Sequence, residues 1–390
     1  MISSADRREF LHGTALAVAA WHLGAGSGST AQDKPVLPPL IVREKSPENL
    51  ELPFTALDRF IIPNDRFFVR NHFAIPRLDI KTWRLRVEGA VKRTLELEYE
   101  ELRKLRPVTM TATLECAGNN RYFLVPKPRG VIWQLGAVSN AEWTGVPLSA
   151  ILERAGVRDG AVDVVLEGAD SGSVEAAGGP AGNIAFARSL PIAKARRPEV
   201  ILAYRMNGAD LPGAHGFPLR AVVGGWYGMA CIKWLKRIVV TDRPFTGFFQ
   251  TIDYSYFERR NGLPVTTPIT EMQVKAQIAR PRIGEVVPVK MPYRVHGAAW
   301  TGEGEIARVE LSTDGGKSWA AARLLDKPVP FCWRLWEWTW TPNRAGPVTL
   351  LSRATDTRGR VQPMTRDADR RNYLISHVLP VMVNVQKPPP

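Results

Sequence analysis

The 390-residue sequence is poor in cysteine, with only Cys116, Cys231 and Cys332. Such a small and odd number excludes a disulfide framework as the main source of stability. None of the three belongs to a Cys-x-x-Cys-His sequence or to a paired Cys-x-x-Cys pattern. These absences exclude the covalent attachment of a c-type haem and a zinc site built from several cysteines.

Long apolar runs and long basic runs are also missing after the first segment of the chain. No stretch there is long and apolar enough to form a membrane-spanning helix. The 52 lysines and arginines outnumber the 38 acidic residues, and the net charge is +14. This excess favours an anionic substrate or partner. Because the basic residues are scattered, they argue against a nucleic-acid-binding tract.

The N-terminal segment has the features of a twin-arginine export signal. Arg7 and Arg8 precede a mildly apolar stretch, residues 14–23, that is too short to cross a bilayer, and residues 29–31 are small enough for cleavage. An amphipathic N-terminal helix is the alternative. We predict that residues 1–31 are a signal peptide, that the chain folds before export, and that the mature protein is periplasmic. Export of a folded chain suits a protein that loads a cofactor in the cytoplasm.

The rest of the chain is long enough for two domains, and its sequence pattern changes near Pro264. Before that point, strand-like segments alternate with short helical ones, such as residues 147–156, and Asn207-Gly208 is a hairpin turn signal. After it, short alternating segments are punctuated by glycine and proline, which favours an immunoglobulin-like β-sandwich. Five strands are predicted there, over residues 287–295, 306–312, 319–325, 332–340 and 348–355.

The stretch from Thr111 to Arg121 is the strongest candidate for a metal site. It reads as a strand up to Leu114, and Cys116 follows where the strand gives way to a polar, glycine-containing loop. Arg121 lies close enough in the chain to place a positive charge beside the sulfur. A nearby cation favours the thiolate, which is the form that binds soft metals. A buried, inert cysteine is the alternative for Cys116 considered alone.

Two basic groups are candidate anion sites. Arg70 and His72 lie two residues apart in a predicted strand over residues 67–73, so they share a face and could hold an anion. The alternative is a surface arginine and a capping histidine. Further on, His215, Arg220 and Lys233 could together donate hydrogen bonds and positive charge to one phosphate. A lone histidine is more often structural than functional.

Several of these segments resemble signatures of the sulfite oxidase family. Leu114-Glu-Cys-Ala-Gly-Asn-Asn-Arg121 resembles the loop that carries the family's molybdenum-binding cysteine. Val69-Arg-Asn-His72, His215-Gly-Phe-Pro-Leu-Arg220 and Lys233-Trp-Leu235 follow in the family's order. The resemblance implies an α+β molybdopterin-binding domain of the sulfite-oxidase fold over residues 32–262. An immunoglobulin-like dimerisation domain would follow over residues 263–390.

The resemblance also implies roles for individual residues. Cys116 would bind the metal, and the substrate site would comprise Arg70, Trp133, Tyr254, Arg121 and an arginine from the C-terminal domain, Arg334. Tyr256 is a rival for the role of Tyr254. The cofactor contacts would come from Phe68, Val69, Arg70, Asn71, His72, Cys116, Asp170, His215, Arg220, Cys231, Ile232 and Lys233. The chain departs from the family pattern at Asn120, where a second arginine is expected, and at Ser255, where a lysine is usual.

The predicted function is oxidation of sulfite to sulfate by molybdenum bound to molybdopterin, in which the cofactor performs the redox step and the protein binds the anion. Electrons would leave singly to a separate c-type cytochrome, and the protein would be a homodimer. One alternative is a sulfane-sulfur dehydrogenase subunit that acts on protein-bound sulfur. Another is an exported binding scaffold without a cofactor.

Overall fold

The computed structural model describes residues 37–175, 179–325 and 327–387. The predicted signal peptide, residues 1–31, lies outside this part of the chain. Among the described residues, none of the helices has the length and apolar character of a membrane span. The described chain folds into an α+β domain followed by an all-β sandwich, which confirms the predicted fold class.

The α+β domain consists of short helices and strands that follow one another closely. Its elements are, in chain order, β1 Ile41–Lys45, β2 Glu48–Glu51, β3 Leu85–Gly89, β4 Leu95–Leu97, α1 Tyr99–Lys104, β5 Val108–Glu115, β6 Val138–Pro147, α2 Leu148–Ala155, β7 Asp163–Ser173, β8 Asn183–Pro191, α3 Ile192–Ala195, β9 Val200–Met206, β10 Ala209–Asp210, β11 Arg220–Val223 and β12 Leu235–Thr241.

Two five-stranded sheets form the frame of this domain. In the first sheet, β10, β9, β6 and β5 lie side by side and β11 pairs with β9. In the second, the order is β4-β3-β12-β7-β8, with β12 parallel to β3 and antiparallel to β7. Apolar side chains from both sheets belong to one continuous core. Strand ends and loops from both sheets therefore reach the same interior region.

Local sequence signals explain two of these elements. Helix α2 buries Leu148, Ile151, Leu152 and Ala155, the spacing of one helix face, and ends at Gly156, whose φ is 70°. The hairpin of β9 and β10 turns at Asn207 and Gly208, with φ of 50° and 78°. Asparagine and glycine tolerate positive φ, so the pair suits this turn. Both elements were predicted and are confirmed.

A hairpin connects the α+β domain to the sandwich. Its strands are β13 Ser255–Arg260 and β14 Leu263–Pro268. The predicted domain boundary after residue 262 falls at the turn of this hairpin.

The sandwich packs two sheets around a second hydrophobic core. Its strands are β15 Lys275–Arg280, β16 Val286–Pro288, β17 Tyr293–Trp300, β18 Ile306–Ser312, β19 Ala320–Ala321, β20 Arg323–Leu324, β21 Arg334–Trp340, β22 Gly346–Asp356 and β23 Val381–Gln386. One sheet has the order β15-β17-β21-β20, and the other β16-β23-β22-β18-β19. The prediction of one strand over residues 287–295 is wrong, because residues 289–292 separate β16 from β17. Strands β15 and β23 were not predicted.

The segment from Phe67 to Phe73 is not the regular strand that its apolar pattern predicted. Only Val69 pairs with another strand, through reciprocal backbone hydrogen bonds of 2.9 Å with Leu50. A 3₁₀ turn, Asn64–Arg66, precedes the segment. The segment therefore pairs with β2 at one residue only.

Candidate active site

One cavity in the α+β domain collects most of the predicted site residues. It encloses about 670 Å³, counting the part that is open to solvent. The predicted residues that line it are Phe68, Arg70, His72, Cys116, Asp170, His215, Arg220, Cys231, Lys233 and Tyr254. These residues come from segments far apart in the sequence, so the fold brings them together.

Cys116 lies at the end of β5 and is held by backbone hydrogen bonds. Its N–H donates to the carbonyl of Ala137 at 2.9 Å, and its carbonyl accepts from the N–H of Asn119 at 2.8 Å. The residue is 6% exposed and lines the cavity. Strand β5 thus places the Cys116 thiol at the cavity, and the hydrogen bonds to Ala137 and Asn119 fix its backbone conformation.

The residue before this cysteine is part of a buried ion pair. The Glu115 carboxylate accepts from Lys275 Nζ at 2.8 Å, from Trp300 Nε1 at 2.8 Å and from Asn119 Nδ2 at 3.1 Å. Lys275 and Trp300 belong to the sandwich, on β15 and β17. The strand that carries Cys116 is therefore anchored by the C-terminal domain.

One end of the cavity is strongly cationic. Arg220 lies at the start of β11, and its guanidinium donates to the carbonyls of His215 at 3.0 Å and Cys231 at 3.2 Å. Lys233 donates to the side-chain oxygen of Asn71, and to the carbonyl of Ala214 at 2.9 Å. Both positive charges are thus held in place by neutral carbonyl and amide oxygens.

The pKa values of this cluster show that its charges lack full compensation. Burial, together with the charge of Arg220, lowers the pKa of Lys233 well below its usual range, although Asp170 opposes the shift. Burial also lowers the pKa of Arg220 to about 10 and of His215 to about 3. Burial raises the pKa of Asp170 to about 6, against the effect of Lys233. A bound anion such as a phosphate would stabilise this arrangement.

His215 is neutral at neutral pH, because burial and the neighbouring cations oppose its protonation. Its Nε2 lies 3.0 Å from the carbonyl oxygen of Asn64. A carbonyl oxygen can only accept, so Nε2 carries the proton and Nδ1 is left as an acceptor. The ring also packs edge-on against Phe67, with centroids 5.4 Å apart.

A second group, Arg70, His72 and Tyr254, lies elsewhere on the cavity wall. His72 Nε2 and the Tyr254 hydroxyl are 2.5 Å apart. Burial and the charge of Arg70 lower the pKa of His72 well below its usual range, while burial raises that of Tyr254. Both groups are therefore neutral at neutral pH. Arg70 donates to the carbonyl of Asn71, and its buried Nε has no hydrogen-bond partner among the described residues. This donor is available to a ligand.

The segment that carries Tyr254 is held by a buried arginine that the sequence did not indicate as functional. Arg188, on β8, is 1% exposed and donates to the carbonyls of Phe249 and, at 2.6 Å, Ile269. Burial lowers its pKa to about 10. Residues Phe249–Asp253 form a π-helical turn directly before Tyr254. Arg188 thereby positions the turn that presents the tyrosine.

Arg121 approaches the site from the loop after Cys116. It is 4% exposed, and its Nε donates to the carbonyl of Asn372 at 3.0 Å. It does not belong to the cavity lining itself, but its charge contributes to lowering the pKa of His72. Arg121 therefore acts electrostatically on the Arg70 group without lining the cavity.

Two predicted substrate-site residues lie elsewhere. Trp133 is fully buried and is not among the residues that line the cavity. Arg334 does not line it either, because strand alternation gives it the same face of β21 as Trp336, which belongs to the core of the sandwich. The prediction that these side chains form part of the substrate pocket does not match this arrangement. Val69, Asn71 and Ile232 flank lining residues without lining the cavity.

The sequence also missed several lining residues. They are mostly apolar: Phe67, Leu114, Ala117, Phe186, Gly228, Met229 and Trp234. Phe186 stacks on His72 with ring centroids 4.1 Å apart, and Lys233 Nζ lies 4.3 Å from the ring centre of Trp234. The Lys233-Trp-Leu235 motif could have indicated Trp234 as a site residue. Nothing in the strand pattern around Phe186 distinguishes it from a core residue. The structure also decides between two tyrosines, since Tyr254 lines the cavity and Tyr256 does not.

Comparison with known families agrees with this geometry. The family model for the oxidoreductase molybdopterin binding domain matches residues 72–249, and the model for the Mo-co oxidoreductase dimerisation domain matches residues 266–378. The first matched region holds most of the cavity residues, and the second holds all the strands of the sandwich except β23.

Individual proteins are similar over most of the chain. Sulfite oxidase from Gallus gallus is 38% identical over 358 residues, which cover 85% of this chain and 75% of that protein. Mitochondrial sulfite oxidase from Mus musculus is 35% identical over 347 residues, 84% of this chain but 62% of that protein. The chain thus spans less than two thirds of the mouse enzyme.

A solved structure is similar in fold as well as sequence. The crystal structure of the sulfane dehydrogenase SoxCD from Paracoccus pantotrophus superposes with a TM-score of 0.77 and 27% identity, covering 95% of this chain and 98% of that chain. The matched models, the relatives and the cavity built around Cys116 together show that the chain belongs to the sulfite oxidase family of oxidoreductases, whose cofactor is molybdenum bound to molybdopterin.

Proposed function

We propose that this enzyme oxidises sulfite to sulfate. The observation that carries the proposal is the cavity that brings together the Cys116 thiol, the Tyr254 hydroxyl and the Nε of Arg70. This Nε has no hydrogen-bond partner in the part of the chain that the structure describes. A thiol suits a soft metal, and a guanidinium suits an oxyanion with several oxygens. The similarity to sulfite oxidases over more than 80% of the chain supports the choice of substrate.

The residues around the cavity fit the family's cofactor. Lys233 and Arg220 would hold its phosphate, because their buried positive charges lack full compensation. The neutral His215 would support them, since its backbone carbonyl accepts from the Arg220 guanidinium at 3.0 Å. Cys116 would hold the metal. When bound, the molybdenum centre supplies the two-electron oxidation and the oxygen transfer. The cavity walls, including Phe186 and Met229, would exclude bulk water from the reacting groups.

The protein's own contribution is to bind and orient the anion. Arg70 would donate to the sulfite oxygens, with Arg121 adding positive charge nearby. Tyr254 keeps its proton because burial raises its pKa, so its hydroxyl can serve as a hydrogen-bond donor to a substrate oxygen. The neutral His72 ring fixes the position of that hydroxyl at 2.5 Å.

One preparation tests the proposal. The protein is produced in a host that makes the cofactor, its molybdenum content is measured, and the reduction of cytochrome c is followed with free sulfite as the sole donor. We expect near-stoichiometric molybdenum and sulfite-dependent reduction. Protein with full molybdenum but no turnover of free sulfite would reject the proposal.

The second candidate function is oxidation of protein-bound sulfane sulfur, which the structural similarity to SoxCD favours. The two activities use the same fold and cofactor, so only the substrate separates them. If the second candidate is correct, the enzyme is inactive with free sulfite and active with a persulfide carried on a protein. That comparison uses the same molybdenum-loaded preparation.

We further propose that the enzyme works in the periplasm, as a homodimer, with a c-type cytochrome as acceptor. Support comes from the twin-arginine pattern at Arg7 and Arg8, from the match of residues 266–378 to a dimerisation domain, and from the net charge of +14, which suits an acidic partner. Cell fractionation of a wild-type strain against one carrying Arg7→Lys and Arg8→Lys tests the export, and light scattering tests the dimer.

Replacing Arg70 with methionine is expected to raise the KM for sulfite about 10- to 100-fold, with a much smaller change in kcat. The reason is the loss of charge-assisted hydrogen bonds to the anion, worth about 1.5–3 kcal/mol. Steady-state kinetics over a wide sulfite range measures both constants. Arg86→Met is the matched control, since Arg86 is 53% exposed and paired with Glu88. A change confined to kcat would contradict the role of Arg70.

Replacing Lys233 with methionine is expected to weaken cofactor retention about 10- to 100-fold, because a charged phosphate contact is lost. Molybdenum per protein after dialysis, determined by mass spectrometry, measures this. Lys236→Met is the control, because Lys236 lies three residues on, is 42% exposed and pairs with Glu167. Full molybdenum content in the Lys233 variant would show that the phosphate lies elsewhere.

A further inference from the structure

One segment of the C-terminal domain, residues 367–374, reaches the edge of the active site. The Leu374 N–H donates to the carbonyl of Ala117, next to Cys116, at 2.9 Å. Arg371 donates to Ser255 Oγ, next to Tyr254, at 2.8 Å. The segment therefore contacts both the metal-binding loop and the strand that follows the active-site tyrosine.

Tyr373 lies at the centre of these contacts and is 4% exposed. Its hydroxyl donates to Asp253 Oδ1 at 2.7 Å, and its ring centre is 5.0 Å from that of Tyr254. The guanidinium carbon of Arg121 lies 4.7 Å from the ring centre of Tyr373, a cation–π distance. One aromatic ring thus contacts two groups of the proposed anion site, while its hydroxyl is fixed by a carboxylate.

Arg121 has little freedom in this arrangement. The Tyr373 ring and the Asn372 carbonyl contact its guanidinium, and the carbonyl accepts from Nε at 3.0 Å. Gly118 and Gly130 are also close, because an added Cβ there would lie 2.4 and 2.6 Å from guanidinium atoms. Only glycine leaves room for the guanidinium there. The direction of this charge is therefore determined by a glycine-lined slot in the first domain and by a tyrosine in the second.

We propose that Tyr373 is a positioning residue for sulfite binding, which it controls by fixing the guanidinium of Arg121 beside the substrate. This inference rests on the proposed function, in which Arg121 contributes to the anion site. It assigns to the C-terminal domain a role in substrate affinity in addition to dimerisation. The side chain that the domain contributes is an aromatic ring that acts on an arginine of the first domain.

Kinetics of the molybdenum-loaded Tyr373→Met variant tests the inference. We expect the KM for sulfite to rise about tenfold while kcat stays within about threefold, because the cation–π contact that orders Arg121 is lost. Tyr373→Phe retains the ring and should keep KM within about threefold of wild type. Sulfate binding, measured by calorimetry, should weaken by the same factor as the KM rises, and this readout does not depend on turnover.

The matched control is Tyr256→Met. Tyr256 also has an arginine over its ring, with the guanidinium carbon of Arg370 at 4.4 Å, but it does not line the cavity. Its replacement should leave both kinetic constants unchanged. A rise in KM equal to that of Tyr373→Met would show that any tyrosine lost from this region has the same effect, and would overturn the inference.

A double-variant cycle separates the inference from the proposed function. If Tyr373 acts through Arg121, the combined Arg121→Gln and Tyr373→Met variant has the same KM as Arg121→Gln alone. If the double variant instead raises the KM by the product of the two single-variant increases, the inference is overturned. If Arg121→Gln raises the KM and Tyr373→Met does not, only the inference fails. If Arg121→Gln leaves the KM unchanged, the anion role of Arg121 and the inference fail together.

Arg121→Lys tests the same contact should Tyr373→Met not fold. Lysine retains the charge but lacks the planar face and the Nε donor that meet Tyr373 and the Asn372 carbonyl. We expect sulfate and sulfite affinities to fall about tenfold in this variant. Unchanged affinities would overturn the inference.

Discussion

Replacing Cys116 with serine is expected to reduce sulfite oxidation below detection. A serine hydroxyl stays protonated at neutral pH and is a poor ligand for a soft metal, whereas a thiolate is a good one. The backbone at this position is held by Ala137 and Asn119, so the substitution changes the donor atom and leaves the geometry in place. Sulfite-dependent cytochrome reduction measures the effect, with molybdenum content determined on the same sample.

The control for this prediction is Cys332→Ser. Cys332 is also buried, but it does not line the cavity. Burial raises the pKa of its thiol to about 12, so it is a neutral side chain in the folded protein. The control should retain wild-type turnover. An active Cys116→Ser enzyme would overturn the assignment of the metal ligand.

Replacing Lys275 with methionine is expected to destabilise the protein by about 3–5 kcal/mol, because it leaves the Glu115 carboxylate buried without its cation. Lys275 and Glu115 are 2% and 1% exposed, and their Nζ–Oε1 distance is 2.8 Å. Water cannot solvate the remaining charge at such a site. Urea denaturation, followed by fluorescence, measures the change in the free energy of unfolding.

Two variants complete this experiment. Lys236→Met removes an exposed ion pair with Glu167, which contributes about 1 kcal/mol or less. Adding Glu115→Gln to Lys275→Met should recover part of the lost stability, because the amide no longer carries an unpaired charge but can still accept from Trp300. If Lys275→Met and Lys236→Met lower the free energy of unfolding equally, burial does not make the Glu115–Lys275 ion pair contribute more to stability than an exposed pair.

Lys275→Met should also affect the active site, since Glu115 precedes the metal-binding cysteine. The ion pair joins β15 of the sandwich to the end of β5, across 160 residues of sequence. Together with Tyr373 and Leu374, it forms a set of contacts by which the C-terminal domain holds the Cys116 loop. The C-terminal domain therefore supports the active-site loop from outside the cavity, although the sandwich also has a hydrophobic core of its own.

Features with a short-range cause could be predicted from the sequence. The end of β5 at Cys116, the helix α2 and the Asn207-Gly208 hairpin follow from periodicity and turn chemistry within about ten residues. The grouping of neutral His215 with the cations Arg220 and Lys233 was also predictable, because the three residues lie within one short, recognisable stretch. Strands of the sandwich were predicted less well where proline and glycine divide them, as between β16 and β17.

Features that depend on contacts between distant segments could not be predicted. The family resemblance implied Arg334 as the C-terminal residue of the substrate site. Arg334 does not line the cavity, whereas Tyr373 lies beside Arg121. Nothing within a few residues of Tyr373 indicates that it contacts Asp253. Arg188 donates to backbone carbonyls of distant segments, and Lys275 pairs with the carboxylate of Glu115. The residues next to Arg188 and Lys275 in the sequence do not indicate these partners.

The sequence by itself determined which chemical groups this protein has available: one thiol at a strand end, a set of cations that suit a phosphate, and arginines that suit an oxyanion. Those properties belong to residue types and short spacings. Only the tertiary structure decided which groups meet, since register between strands and contact between domains depend on packing over hundreds of residues. The direction of Arg121 is such a case, because it depends on two glycines of one domain and a tyrosine of the other.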